Sequence, residues 1–159
     1  GYFYESYNQQ KMSELGIDTI FVQDNQSYSQ KGVIRGLHFQ RPPFAQAKLV
    51  RVIKGKVLDV AVDIRKGSPT YGQHYSVLLT GDNHRQFFIP EGFAHGFVAL
   101  EDNSIFTYKC SQFYHKEAEM SIRYNDPILN IDWGLDKAPI MTEKDLCGVL
   151  FDQFNTPFE

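Results

Sequence analysis

The sequence predicts an all-β domain: a sandwich, jelly roll or closed barrel of short strands. Short runs rich in β-branched and aromatic residues recur at nearly even spacing along most of the chain. The segments between them carry turn-forming residues, such as Gly81-Asp82-Asn83, Pro90-Glu91-Gly92 and Glu101-Asp102-Asn103. The clearest run, Val57–Ile64, alternates with period two. Leu58, Val60, Val62 and Ile64 fall on one face, and Val57, Asp59, Ala61 and Asp63 on the other.

In chain order, residues 5–15 (ESYNQQKMSEL) are polar with sparse apolar positions and fit a turn or a short helix. The β signal begins at Thr19–Val22 and continues through Gly32–Phe39, Lys48–Ile53 and Val57–Ile64. Lys54-Gly55-Lys56 joins the last two as a hairpin turn, with Gly supplying the permissive backbone. Further strands are expected at His74–Leu79, Arg85–Ile89, Gly96–Ala99, Ser104–Lys109 and Glu119–Tyr124. The one convincing helix signal is late: Thr142-Glu143-Lys144-Asp145 fits a capping box that opens a helix over Leu146–Phe154.

The 159 residues amount to one domain, with no repeat, linker or low-complexity tract to divide it. Such a chain buries about two-thirds of its unfolded surface, enough for a core without staples. A net charge of −3 argues against a general nucleic-acid binder, which should be basic. With 42% hydrophobic and 22% charged residues the composition is globular, not disordered. No apolar run approaches the ~18 residues of a membrane span, and no signal-peptide pattern opens the chain. Cys110 and Cys147 show neither CxxC spacing nor a flanking His, so reduced thiols in a cytoplasmic protein are expected in place of zinc or a disulfide. Aromatic residues are abundant, with 13 Phe, 9 Tyr and one Trp.

Titratable side chains interrupt the apolar strands at Arg35–Gln40, Ala47–Arg51 and Ile89–Phe97, which brings His38, Lys48 and His95 toward one interior pocket. Strict alternation sets His38 with Gly36 and Gln40 and turns Arg35 to the other face, so both reach one site only through a bulge or across a strand end. Pro90-x-Gly92-x-x-His95 matches the second motif of the cupin fold. The first cupin motif would need His-x-His and a Glu, yet His38-Phe39-Gln40 stands there and no Glu follows at the right spacing. His38 and His95 alone fall short of the about three protein ligands a catalytic metal uses, so no metal is expected.

Longer stretches carry a sharper resemblance. GYFYESYNQQ, FVQDNQSYSQKGVIRGLHFQRPP, AQAKLVRVIKGKVLDVAVDIRKGSPTYGQ, RQFFIPEGFAHGF, the YK of FTYKC, YNDP, IDW and EKD occur in order along nearly the whole chain. By them the chain resembles the dTDP-4-dehydrorhamnose 3,5-epimerase family, a metal-free branch of the cupins. The resemblance implies a cupin-type jelly roll with a short C-terminal helix, no cofactor, and epimerisation of C3 and C5 of a dTDP-4-keto-6-deoxy sugar. It implies His38 as general base, Asp145 as the carboxylate supporting it, Tyr108 as general acid and Lys48 as the stabiliser of the developing C4 oxyanion. Spacing alone would leave Asp145 in the Thr142 capping box. Arg35 and His95 resemble further substrate contacts. Glu5, Gln23 and Asn25 resemble nucleotide-sugar contacts, and Glu119 sits at a family binding position. Several aromatic residues, Tyr114 among them, are candidates to stack on thymine. No Gly-rich phosphate loop is present, so Arg and Lys side chains and backbone amides would take the diphosphate.

Two departures stand out. Phe113-Tyr114 replaces the family's paired tyrosines, and Gly1 begins inside a motif whose preceding strand carries a substrate-binding Arg in the family. The expected domain is therefore residues 1–159 without an N-terminal strand, in a cytoplasmic homodimer whose N-terminal segments cross between copies. Mono-epimerases and 3,4-ketoisomerases acting on the same nucleotide sugars, and a non-catalytic cupin sugar-binding module, are the alternatives.

Overall fold

The computed structural model describes residues 1–159 as nine strands in two antiparallel sheets. The strands are β1 (Gln23–Ser29), β2 (Ile34–Gln40), β3 (Lys48–Lys54), β4 (Lys56–Asp63), β5 (His74–Thr80), β6 (Gln86–Ile89), β7 (Phe93–Ala99), β8 (Ser104–Cys110) and β9 (Glu119–Ser121). One sheet has the order β1-β8-β3-β6 and the other β5-β4-β7-β2-β9. Helix α1 (Gln9–Glu14) precedes them, capped by the Asn8 side chain on the Lys11 N–H, and α2 (Glu143–Leu146) follows. No helix is long and apolar enough to cross a membrane.

The alternation in β4 separates two cores. Val57 and Ala61 point between the sheets, into a cluster with Val50, Val52, Leu79, Ile89, Phe97 and Phe106. Val60, Val62 and Ile64 point the other way and pack under Leu129, Trp133, Phe151 and Phe154 of the C-terminal segment. The five-stranded sheet is thus covered on both faces, the inner by its partner sheet and the outer by the last quarter of the chain. Each fully buried Val, Ile or Phe contributes roughly 1.5–3 kcal/mol. The inner face is apolar at one end of the sandwich and polar at the other, where His38, Lys48, Asp59, His95 and Tyr108 gather.

Two elements differ from the sequence expectation. The first strand is not Thr19–Val22 but the polar Gln23–Ser29. This strand is a sheet edge, so its outward face meets water while Gln23, Asn25 and Ser27 turn inward. Ile20 and Val22 remain exposed in irregular backbone. The second difference is that the helix opened by Thr142 ends at Leu146 rather than running to Phe154. Gly148 packs against the Ile122 backbone, too close for any Cβ, and Val149 bridges to Ile122 in parallel. Pairing with the sheet thus replaces the next helical turn, and only a 3₁₀ turn at Phe151–Gln153 follows.

Of the two routes that strict alternation leaves open for Arg35 and His38, a bulge or a strand end, β2 takes the bulge. Its register against β7 runs Ile34 to Val98 and Arg35 to Phe97, then shifts to His38 opposite His95. Gly36 lies within it at φ +126°, and a Cβ there would stand 2.5 Å from the Gly96 Cα. Two glycines at this crossing let the strands approach closely enough to break the alternation.

Candidate active site

The bulge turns His38 into the mouth of the sandwich. Its Nε2 lies 2.5 Å from Asp145 Oδ1, and Asp145 Oδ2 accepts the Gly36 N–H at 3.3 Å. Asp145 serves both roles weighed from the sequence. Its backbone N–H takes the Thr142 cap at 3.3 Å while its carboxylate leaves the helix for His38. Burial pushes the Asp145 carboxyl up, but the hydrogen bonds from His38 and Gly36 and the charges of His38 and Lys144 outweigh it, and the carboxyl is held below its ordinary range.

His95 stands directly across the strand pair from His38. Its Nε2 meets Asp59 Oδ2 at 2.8 Å, and both side chains are buried. Burial pulls the imidazole down against the favourable charge of Asp59, so His95 stays neutral near pH 7. Asp59 Oδ1 has no hydrogen-bond partner. Lys48, 7% exposed, reaches in from β3 on the opposite sheet, its Nζ 5.7 Å from the Tyr108 ring centre. Burial lowers its pKa, opposed by Cys110, Asp59 and Glu119. Burial likewise raises the Tyr108 phenol, opposed by the Asn25 amide.

His38, Lys48 and Tyr108 line a cavity of about 80 Å³ together with Asn25, Tyr114 and Glu119. His38 and His95 stand on the five-stranded sheet, Lys48 and Tyr108 on the four-stranded one. Facing sheets lie about 10 Å apart, so base and acid candidates occupy opposite walls. Arg35 lies against β1, donating to Ser29 Oγ at 3.2 Å, and its charge reaches Tyr108. Glu119 Oε2 accepts Tyr114 Oη at 2.7 Å and Lys144 Nζ at 2.5 Å. Glu5 is the one site candidate held apart, exposed and salt-bridged to Lys11 at 2.8 Å. A larger cleft of about 260 Å³, open on the outer face of the four-stranded sheet, is lined mainly by outward-facing side chains such as Asp24, Arg51 and Lys109 beside Tyr7. It has no base and acid on opposing walls. No group of three or more His, Cys, Asp or Glu side chains is arranged to hold a metal ion.

Sequence reasoning missed Asp59 as the partner of His95, although the alternation sets this carboxylate on the same strand face as Val57 and Ala61. It also missed Lys144, whose only signal was its position beside Asp145.

A cupin-type jelly roll with a basic imidazole on one wall and a phenol and an amine on the facing wall is the arrangement of an enzyme that moves protons on a small molecule. The sequence profile of the dTDP-4-dehydrorhamnose 3,5-epimerase family matches residues 1–153. The dTDP-4-dehydrorhamnose 3,5-epimerase of Salmonella typhimurium is 53% identical over 154 residues, 96% of this chain and 84% of that protein. That of Methanothermobacter thermautotrophicus is 53% identical over 147 residues, 91% of this chain and 79% of its own. The crystal structure of the Legionella pneumophila dTDP-6-deoxy-D-glucose-3,5-epimerase in complex with dTDP-4-keto-L-rhamnose superposes with a TM-score of 0.94 at 52% identity, covering 98% of this chain and 82% of that one. The chain belongs to the dTDP-4-dehydrorhamnose 3,5-epimerase family.

Proposed function

We propose that the cavity epimerises dTDP-4-dehydro-6-deoxy-D-glucose at C3 and C5 to give dTDP-4-dehydro-L-rhamnose, a step of dTDP-L-rhamnose synthesis. The observation that carries this reading is the pairing of His38 and Tyr108 on opposite walls with Lys48 reaching in beside Tyr108. Both carbons are α to the C4 ketone, so each proton can leave as the electron pair of its C–H bond moves toward the C4 oxygen. With Nε2 of His38 committed to Asp145, Nδ1 is the nitrogen left to take that proton. Asp145 stabilises the imidazolium that results. Lys48 meets the negative charge gathering on the C4 oxygen, in a site where burial strengthens the interaction. Tyr108 then gives its phenolic proton to the opposite face of the same carbon, which inverts it. The second carbon follows by the same steps after the proton on His38 and that missing from Tyr108 are exchanged with solvent.

His95, neutral and fixed by Asp59, contributes a polar wall without adding a charge. Tyr114 at the mouth suits stacking on thymine, and Lys144 with Arg35 suits the diphosphate. The N-terminal segment leaves Tyr2, Phe3 and Leu15 exposed, Phe3 at 96%. That apolar surface favours a homodimer in which a second copy covers it. Two unpaired cysteines suit a cytoplasmic location.

The test is proton NMR of the nucleotide sugar incubated with the protein in D₂O. Deuterium entering at both C3 and C5 is expected. Entry at one carbon alone would mark a mono-epimerase, and entry at neither would leave a sugar-binding module.

A further inference from the structure

Gln40 ends β2, on the same strand face as His38, and is 3% exposed. Its amide serves backbone groups alone. Nε2 donates to Phe44 O at 2.8 Å and to Phe113 O at 3.1 Å, and Oε1 accepts the His115 N–H at 2.8 Å. Both N–H groups and the carbonyl are thereby engaged. These partners belong to two loops, residues 41–47 before β3 and residues 111–115 after β8. Each loop lends a side chain to the cavity, Gln46 from the first and Tyr114 from the second. The loops meet again where Gln46 Nε2 donates to Gln112 O and the Ala47 N–H to Ser111 Oγ, both at 2.8 Å. The Phe44 and His115 rings stack between them with centres 3.7 Å apart.

Phe113 O and His115 N flank Tyr114, so Gln40 grips the backbone on both sides of that residue. Glu119 lies directly across from Gln40 in the β2–β9 register and accepts the hydroxyl at the far end of the Tyr114 side chain at 2.7 Å. We propose that Gln40 is a positioning residue for nucleotide binding, which acts by fixing Tyr114 at the cavity mouth. The proposal rests on Tyr114 being a residue that stacks on the nucleobase. A ring held in place binds without first being ordered, whereas a loose loop spends part of the binding energy on its own immobilisation. Glutamine suits the position. A Glu would aim a carboxylate at two carbonyl oxygens, and an apolar residue would leave the His115 N–H without its acceptor. The position is also that of the second His in the cupin His-x-His motif. The replacement that removes a metal ligand there thus supplies a staple between two loops.

The experiment is a double-mutant cycle of Gln40→Met and Tyr114→Ala, read by the Kd of dTDP from calorimetry and by kcat. Gln40→Met keeps the length of the side chain and removes all three bonds. It should weaken dTDP binding about tenfold while kcat at saturating substrate changes less than about threefold. In the Tyr114→Ala background the same substitution should change Kd less than about twofold, because the residue it positions is gone. Equal weakening in both backgrounds would mean that Gln40 meets the nucleotide itself or supports the fold at large, and would overturn the proposal. So would an unmoved Kd, with or without a loss of kcat. If Gln40→Met does not fold, Gln40→Glu replaces it in the cycle with the same expectations. In the unaltered protein, exchange of the His115 amide followed by NMR should be at least about 100-fold slower than in a free peptide. Exchange at the free-peptide rate overturns the proposal whatever the variants do. Tyr114→Ala with undiminished dTDP binding would remove Tyr114 as a stacking residue and the proposal with it. Absence of turnover in the unaltered protein would remove the epimerase reading alone, since calorimetry decides the cycle without it.

Discussion

His38 Nε2 and Asp145 Oδ1 lie 2.5 Å apart and join a strand to a helix 107 residues further along the chain. The bond fixes which imidazole nitrogen faces the cavity. Asp145→Asn should therefore lower kcat by about 10²-fold or more while KM changes little, measured by steady-state turnover. The variant keeps the backbone cap and the side-chain size, so its melting temperature should stay close to that of the unaltered protein. A large KM change with kcat intact would mean that Asp145 meets substrate instead.

Thr142 holds the same helix from its other end. Thr142→Ala should cost about 1 kcal/mol of stability. Because the helix carries Asp145, the loss should be accompanied by a few-fold fall in kcat. Urea unfolding and turnover of the one variant report both effects, and the kcat loss should be far smaller than for Asp145→Asn.

The buried pair of Asp59 and His95 should prove costly to break. Asp59→Ala leaves the His95 ring N–H without its acceptor in the interior, and the expected penalty is about 2 kcal/mol. For a chain of this size that lowers the melting temperature by about 4–8 °C. Calorimetry checks it. A shift under about 2 °C would show that the pair contributes little to the fold.

Asp63 makes a pH-dependent contribution away from the cavity. Burial alone would raise its pKa, but Arg65, Ser68 and Thr70 all donate to its carboxylate and hold it far below the usual range. A carboxyl depressed in the folded state stabilises the protein above its unfolded pKa of about 3.9, and that contribution is lost as pH falls from there toward the folded value. Asp63→Asn should cost about 2 kcal/mol at pH 7, with the difference shrinking as the pH falls below about 4. Urea titrations at pH 7 and pH 3 measure the two.

Much of this was legible in the sequence, and the exceptions have physical causes. The period-two pattern of Val57–Ile64 located a strand and its two faces because both faces meet apolar cores. The polar strand Gln23–Ser29 escaped notice because an edge strand facing water needs no apolar alternation. The overlong helix at Leu146–Phe154 was read from local capping, which contains nothing about the tertiary bridge between Val149 and Ile122. His38, Lys48, Tyr108 and Asp145 were reached through the family resemblance. Residue chemistry alone singled out only His38, Lys48 and His95, since an interior Tyr and a helix-cap Asp have ordinary structural uses. The Asp59 partnership needed the cross-strand register, and Glu5 turned out to pair with Lys11 outside the cavity.

In the proposed reaction one wall removes the proton and the other returns it. Tyr108→Phe and His38→Ala, each incubated with the dTDP-4-keto sugar in D₂O and followed by proton NMR, test this most directly. Without the acid, His38 can return a proton only to the face it came from. Tyr108→Phe should therefore incorporate deuterium α to the ketone with retention of configuration, and His38→Ala should incorporate almost none. Inversion at an undiminished rate in Tyr108→Phe, or exchange at the normal rate in His38→Ala, would contradict the account.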